Sequence, residues 1–176
     1  IINSFYNIMR ITAFDLGIKN FAFYTEENIA FGRKGIIDMT RKIELSKNNL
    51  ILSLIQFLNS IKEELRKSDV FIIEKQYYNR GGGNIKCLKL ESSLFTYLTI
   101  NFENSRVEIM SPRLRNSICG FGLTYRQRKN MSILFAKEYF TENNDVEMKS
   151  YFETFEKKDD IADCVIMIEL FNKNEP

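Results

Sequence analysis

Two short apolar runs, each closing on an acid, constrain this chain more than any other feature. The first is Met9-Arg10-Ile11-Thr12-Ala13-Phe14-Asp15, and Leu16-Gly17-Ile18-Lys19-Asn20 follows it. The second is Val70-Phe71-Ile72-Ile73-Glu74. A run of this length bounded by polar residues reads as a strand rather than a helix, and the second has so little polar content that it must be a buried one. A carboxylate at the end of such a strand is partly buried and needs a partner.

The remaining pattern fills in around these strands. Residues 20–25 continue the β signal, with Gly17 in the turn between, and 29–38 form a third candidate strand. Leu50, Ile51, Leu54, Ile55, Leu58, Ile61 and Leu65 recur at three and four, which predicts a helix over 47–66 capped by Ser46. A second helix is expected over 85–102, a strand over 107–110 stopped by Ser111-Pro112, a helix over 125–141 and a last one over 159–171. Residues 142–156 have no assignable pattern. Gly81-Gly82-Gly83 and the Gly120/Gly122 pair mark loops. The order is β-β-β-α-β-α-β-α-α, an opening meander followed by α/β alternation, which suits a mixed sheet with helices on both faces. No repeat or linker divides the chain, so 9–176 reads as one domain behind an extension, 1–8.

Composition excludes whole classes of chemistry. There is no histidine, which removes a histidine base, a His-based triad and most zinc sites. Three scattered cysteines, Cys87, Cys119 and Cys164, read as reduced thiols of an intracellular protein. No apolar run approaches the ~20 residues of a membrane span, and residues 1–8 lack a secretory pattern. Net charge is only +2. Its distribution matters more: Arg113, Arg115, Arg126, Arg128 and Lys129 fall in a stretch with no acid, which suits a phosphate backbone or, more plainly, a solvated loop.

Four acids are the candidate chemistry. Asp15 is a metal ligand or an ordinary turn residue. Glu74 is satisfied by a metal or by a salt bridge. Asp160 and Asp163 lie one helical turn apart, so they point the same way, but Asp159 and Asp163 are neighbours too. Acids at a helix start also serve the cap and dipole. That reading fits Asp163 less well, because it is embedded in Ile161, Ala162, Cys164 and Val165. Converging carboxylates could hold two Mg²⁺ ions across a phosphodiester. Lys129 adds a cation that could hold a phosphate, or be an exposed lysine.

Phe14-Asp15-Leu16-Gly17-Ile18-Lys19-Asn20-Phe21-Ala22, Ile73-Glu74-Lys75-Gln76, Tyr125-Arg126-Gln127-Arg128-Lys129 and Lys158-Asp159-Asp160-Ile161-Ala162-Asp163 resemble the motifs of the poxvirus Holliday junction resolvases. The first two also resemble the fungal mitochondrial resolvases. The resemblance runs from Met9 to Leu170 and points to a poxvirus or a related large DNA virus. It implies an RNase H-like α/β fold, with a three-strand antiparallel meander, then parallel strands, and helices on both faces. It also implies a homodimer that makes symmetric, Mg²⁺-dependent nicks in four-way DNA junctions, with Mn²⁺ able to substitute, and work in the host-cell cytoplasm. Neither a small-molecule cofactor nor a membrane is implied. Carried over by motif, Asp15, Glu74, Asp160 and Asp163 are the metal ligands and Lys129 the active-site lysine; DNA contacts are expected from Lys19, Lys75, Gln76, Tyr77, Arg80, Lys86, Arg113, Arg115, Arg126 and Arg128. Helix 85–102, with Leu88, Leu94, Phe95, Leu98 and Phe102, is the candidate dimer face. The rival readings are a relative that acts on flaps, forks or RNA–DNA hybrids, and a non-catalytic DNA-binding module.

Overall fold

The two acid-terminated runs are strands lying side by side. In the computed structural model, which describes residues 8–29, 32–78 and 85–174, β1 (Met9–Asp15) pairs in parallel with β5 (Val70–Glu74), Phe14 facing Ile73. The register therefore brings Asp15 and Glu74 to the same edge of the sheet. β2 (Phe21–Ile29) runs antiparallel to β1 and also pairs with β3 (Gly32–Gly35) and β4 (Arg41–Ile43). β6 (Arg106–Met110) extends the parallel half beyond β5, so the six-stranded sheet is mixed. The candidate strand over 29–38 resolves differently: β2 runs on to Ile29, β3 is short, and a 3₁₀ turn at Ile37–Met39 leads into β4.

Alternation along the strands sends side chains to two cores. Ile11, Ala13, Ala22, Tyr24, Val70 and Ile72 face one side, and there they pack with Ala136, Phe140, Phe152, Val165 and Ile168. Those partners come from α5 (Tyr125–Glu142), α6 (Val146–Glu153) and α7 (Asp159–Asn174). Phe14, Phe21, Phe23, Phe71 and Ile73 face the other side, against Leu54 and Leu58 of α1 (Leu50–Ser60) and Leu90, Leu94 and Leu98 of α3 (Ile85–Asn101). The result is a sheet with helices on both faces. The predicted helix 47–66 is two pieces: α1 ends at Ile61, whose backbone leaves the helical region, and α2 (Lys62–Leu65) follows. Ser46 does not cap it. Asn49 holds that position, while Ser46 donates its backbone N–H to Ser53 Oγ at 3.1 Å. The unassigned 142–156 contains α6, started by Asp145, whose side chain accepts from Met148 N at 3.1 Å.

α3 buries most of the apolar residues that a dimer face would need. Leu94 and Leu98 are wholly buried and Phe102 nearly so; Phe95 is exposed and Leu88 half-buried. Among the described residues no helix is long and apolar enough to cross a membrane.

Candidate active site

Three elements deliver the acids. β1 and β5 end together, and the last residue of each, Asp15 and Glu74, points to the face that α7 covers. Gly17 lets the chain turn immediately after β1: a Cβ there would meet the Asn20 carbonyl oxygen at 2.7 Å. α7 begins over the same edge and directs Asp160 and Asp163 at it. Asp15, Glu74, Asp159, Asp160 and Asp163 line one cleft of about 470 Å³, together with Tyr77, Arg113, Arg115, Tyr125, Arg128, Lys129 and Lys157.

The cleft is acidic at its floor, and each acid but one has a basic partner. Arg115 donates to Glu74 Oε1 at 2.8 Å and pairs closely with Asp163 Oδ2. Lys157 reaches both oxygens of Asp160, at 2.8 and 2.9 Å, and Lys42 reaches Oδ2 at 3.2 Å. Lys129 pairs closely with Asp159 and lies 4.8 Å from the Tyr125 ring centre. Asp15 is the exception. Burial, then the facing carboxylates of Glu74, Asp163 and Asp160, push its pKa well above the ordinary carboxylate range. Burial also lifts Asp163 to about 6, against the pull of Arg115. Asp159 moves the other way: although burial opposes it, Lys129 and Lys157 hold it below its usual value.

The expected residues divide accordingly. Asp15, Glu74, Asp160, Asp163 and Lys129 are brought together. Of the expected DNA contacts, Tyr77, Arg113 and Arg128 line the same cleft, and Arg113 stacks over the Tyr77 ring at 5.6 Å. Lys75 also lies over that ring, 5.7 Å from its centre. Lys19, Lys86 and Arg126 are exposed outside the cleft lining. Gln76 turns inward and donates to Glu74 Oε2 at 3.3 Å. Arg115 faces the acids rather than outward. Arg80 and the triple glycine lie outside the described residues. Lys157 carried a signal, three residues before Asp160 on a helix start. Lys42 carried none: β4 pairing sets it opposite Ala22, which in turn faces Asp15.

The donor set fits a hard divalent cation, which takes carboxylate oxygens. Asp15 and Glu74 face each other within hydrogen-bonding reach, and the buried Asp163 Oδ1 has no hydrogen-bond partner of ordinary geometry, although the Ser132 hydroxyl faces that carboxylate. Among the described residues no three acids close on one point as a finished metal cage.

Mixed sheet order, helix placement and the acid cluster together define an RNase H-like fold of the RuvC type. The fowlpox virus Holliday junction resolvase superposes with a TM-score of 0.66 at 23% identity, covering 94% of this chain and 98% of that one. RuvC from Thermus thermophilus gives 0.63 at 11%, covering 94% and 96%. The yeast mitochondrial Holliday junction resolvase Ydc2 gives 0.63 at 20%, covering 93% and 78%. A comparison with curated proteins gives no match. The family model described as Poxvirus A22 protein matches residues 9–171, and the chain belongs to that family.

Proposed function

We propose that this protein is a Holliday junction resolvase: a divalent-metal-dependent endodeoxyribonuclease that nicks four-way DNA junctions symmetrically. The carrying observation is the parallel register of β1 and β5, which sets Asp15 beside Glu74 under the Asp160/Asp163 turn of α7. Support also comes from relatives: the fowlpox and Thermus proteins are described in complexes with Holliday junction DNA. Asp15, Glu74, Asp160 and Asp163 would hold one or two Mg²⁺ ions. Such ions, when bound, supply Lewis acidity to an attacking water and to the leaving 3′ oxygen.

The chain's own residues do the rest. The floor carboxylates orient a water against the scissile phosphorus. Lys129 sits at the cleft wall, where its ammonium can meet a non-bridging phosphate oxygen; burial opposes its charge, but Asp159 and Tyr125 keep it firmly protonated. Arg113 and Arg128 on the wall, with Lys19, Lys86 and Arg126 beyond it, hold the flanking backbone without reading bases. Tyr77 is partly exposed in the cleft lining, where a base can stack on its ring.

Paired nicks need two sites at a fixed separation, which a two-fold dimer supplies. The stripe left for a second copy on α3 is Ile85, Leu88 and Phe95. We place the protein in the cytoplasm of an infected cell, where its buried cysteines stay reduced.

The test is a labelled synthetic four-way junction incubated with Mg²⁺, with both strands mapped, beside matched flap, fork and RNA–DNA hybrid substrates. Symmetric nicks with 5′-phosphate ends, lost in chelator, are expected on the junction. Metal-dependent cutting confined to another substrate overturns the assignment, and binding with no cutting of any substrate leaves only a DNA-binding module.

A further inference from the structure

Arg115 is placed as no ordinary phosphate contact would be. It closes the 3₁₀ turn Pro112–Arg115, which Ser111 starts by accepting from Arg113 N at 3.3 Å. A 3₁₀ turn has three residues per turn, so positions 113 and 115 diverge. Arg113 points out to Tyr77. Arg115 points in, its side chain about one-fifth exposed, and its two terminal nitrogens go to different carboxylates, Glu74 and Asp163. Those two acids come from β5 and α7.

We propose that Arg115 is a positioning residue acting as a built-in cation between Glu74 and Asp163, and that a divalent ion takes up both carboxylates only by displacing it. This rests on the metal-dependent reading above. Converging carboxylates in a partly buried cleft need compensating charge. Without an ion, the guanidinium gives it to two of them and holds β5 and α7 in register. The displaced guanidinium remains in the cleft, within reach of the DNA backbone that lies along Arg113 and Arg128.

The prediction is a trade between metal affinity and metal-free stability. If the bridged arrangement outweighs the open one by about ten to one, the apparent Kd is weakened by the same factor. Mn²⁺ alone is titrated by calorimetry into the full chain, into Arg115→Gln and Arg115→Lys, and into Arg128→Gln, which removes an equal charge from the same cleft without touching either acid. Melting is recorded in chelator and in Mn²⁺. Arg115→Gln should bind roughly tenfold more tightly and melt lower in chelator, with the loss recovered in Mn²⁺. Arg115→Lys, which cannot bridge both acids, should fall between. Arg128→Gln should change affinity less than about threefold. Affinity in Arg115→Gln equal to or below that of the native chain overturns the inference, as does an equal gain in Arg128→Gln. Should Arg115→Gln not fold in chelator, Arg115→Lys decides by the same criterion. Absence of binding to the native chain and to every variant sinks the metal-dependent reading instead.

Discussion

Glu26 and Asp15 lie on neighbouring strands and face the same side of the sheet, yet they are held in opposite ways. Glu26 sits deep, opposite Ile11, and is fully buried. Tyr139 and Tyr24 donate to one of its oxygens at 2.7 and 3.1 Å, and Asn172 donates to the other at 3.3 Å. Arg33 closes the network by donating to the Tyr139 hydroxyl at 3.2 Å and pairing with Glu169. Both oxygens of Glu26 have a protein donor. At the sheet's edge, Asp15 faces other carboxylates, and Asp163 Oδ1 has only the Ser132 hydroxyl facing its carboxylate and no partner of ordinary geometry. A buried acid with a closed hydrogen-bond network is architecture. A group of acids that repel one another at an open edge suits a cation.

Substitution should break this comparison most sharply. Asp15→Asn or Glu74→Gln should lower Mg²⁺-dependent junction cutting by a factor on the order of 10³. In Asp15→Asn metal-free stability should hold or rise, by about 1 kcal/mol, because a repulsion is removed, whereas Glu74→Gln, which breaks the bond to Arg115, should lower it. Glu26→Ala should do the reverse: about 3 kcal/mol of stability lost through unpaired buried groups, with cutting at low temperature nearly unchanged. Chemical denaturation and a cleavage time course on the same preparations check both halves. If Glu26→Ala abolished cutting in a folded protein, the two settings would not be separable.

Proton uptake sharpens it further. Burial raises Glu26 from 4.5 to about 7 and Asp163 from 3.8 to about 6, and Asp15 moves in the same direction. Across that interval the folded chain keeps protons that the unfolded chain has released. These groups therefore make the metal-free protein lose stability as the pH rises from about 4.5 to 7. Mn²⁺ should remove the share due to Asp15 and Asp163, since the ion replaces the protons, and leave the Glu26 share. Glu26→Gln should remove the complementary share, with or without metal. Denaturation series at several pH values, in chelator and in Mn²⁺, separate the two; a slope indifferent to both changes would contradict the assignment.

The smallest effects belong to the cleft's basic wall. Lys129→Ala should slow cutting roughly tenfold with little change in junction affinity, because its partner is the reacting phosphate. Arg126→Ala should instead weaken binding and flatten its salt dependence by about one counterion. Gel-shift titrations over a range of salt, beside single-turnover rates, distinguish them. Equal losses of affinity would reduce Lys129 to a general phosphate contact.

The acid-bearing edge of the sheet was legible because strand, turn and helix-start signals are local: Asp15, Glu74 and the Asp159–Asp163 turn each lie in an unmistakable apolar context. What joins them was not. Arg115 and Lys42 reach the cleft through a 3₁₀ turn and a three-residue edge strand, neither of which has a periodicity to read. For the same reason 29–38 looked like one strand, although β4 owes its place to pairing with β2. The tight turn at Asn144, whose φ is +54°, hid the start of α6. On α3, apolar count alone could not separate the core residues Leu94 and Leu98 from the exposed Phe95.

The parallel pairing of β1 with β5 and the cover of α7 also set when this molecule can become active. Ile11 must wait for Val70 before the central pair can close, a slow, long-range event. Even then the cleft lacks half its acids until residue 163 has left the ribosome and α7 has docked. A nascent chain therefore displays its basic segments before its acids are assembled. Translation itself keeps the nuclease disarmed until the last helix settles.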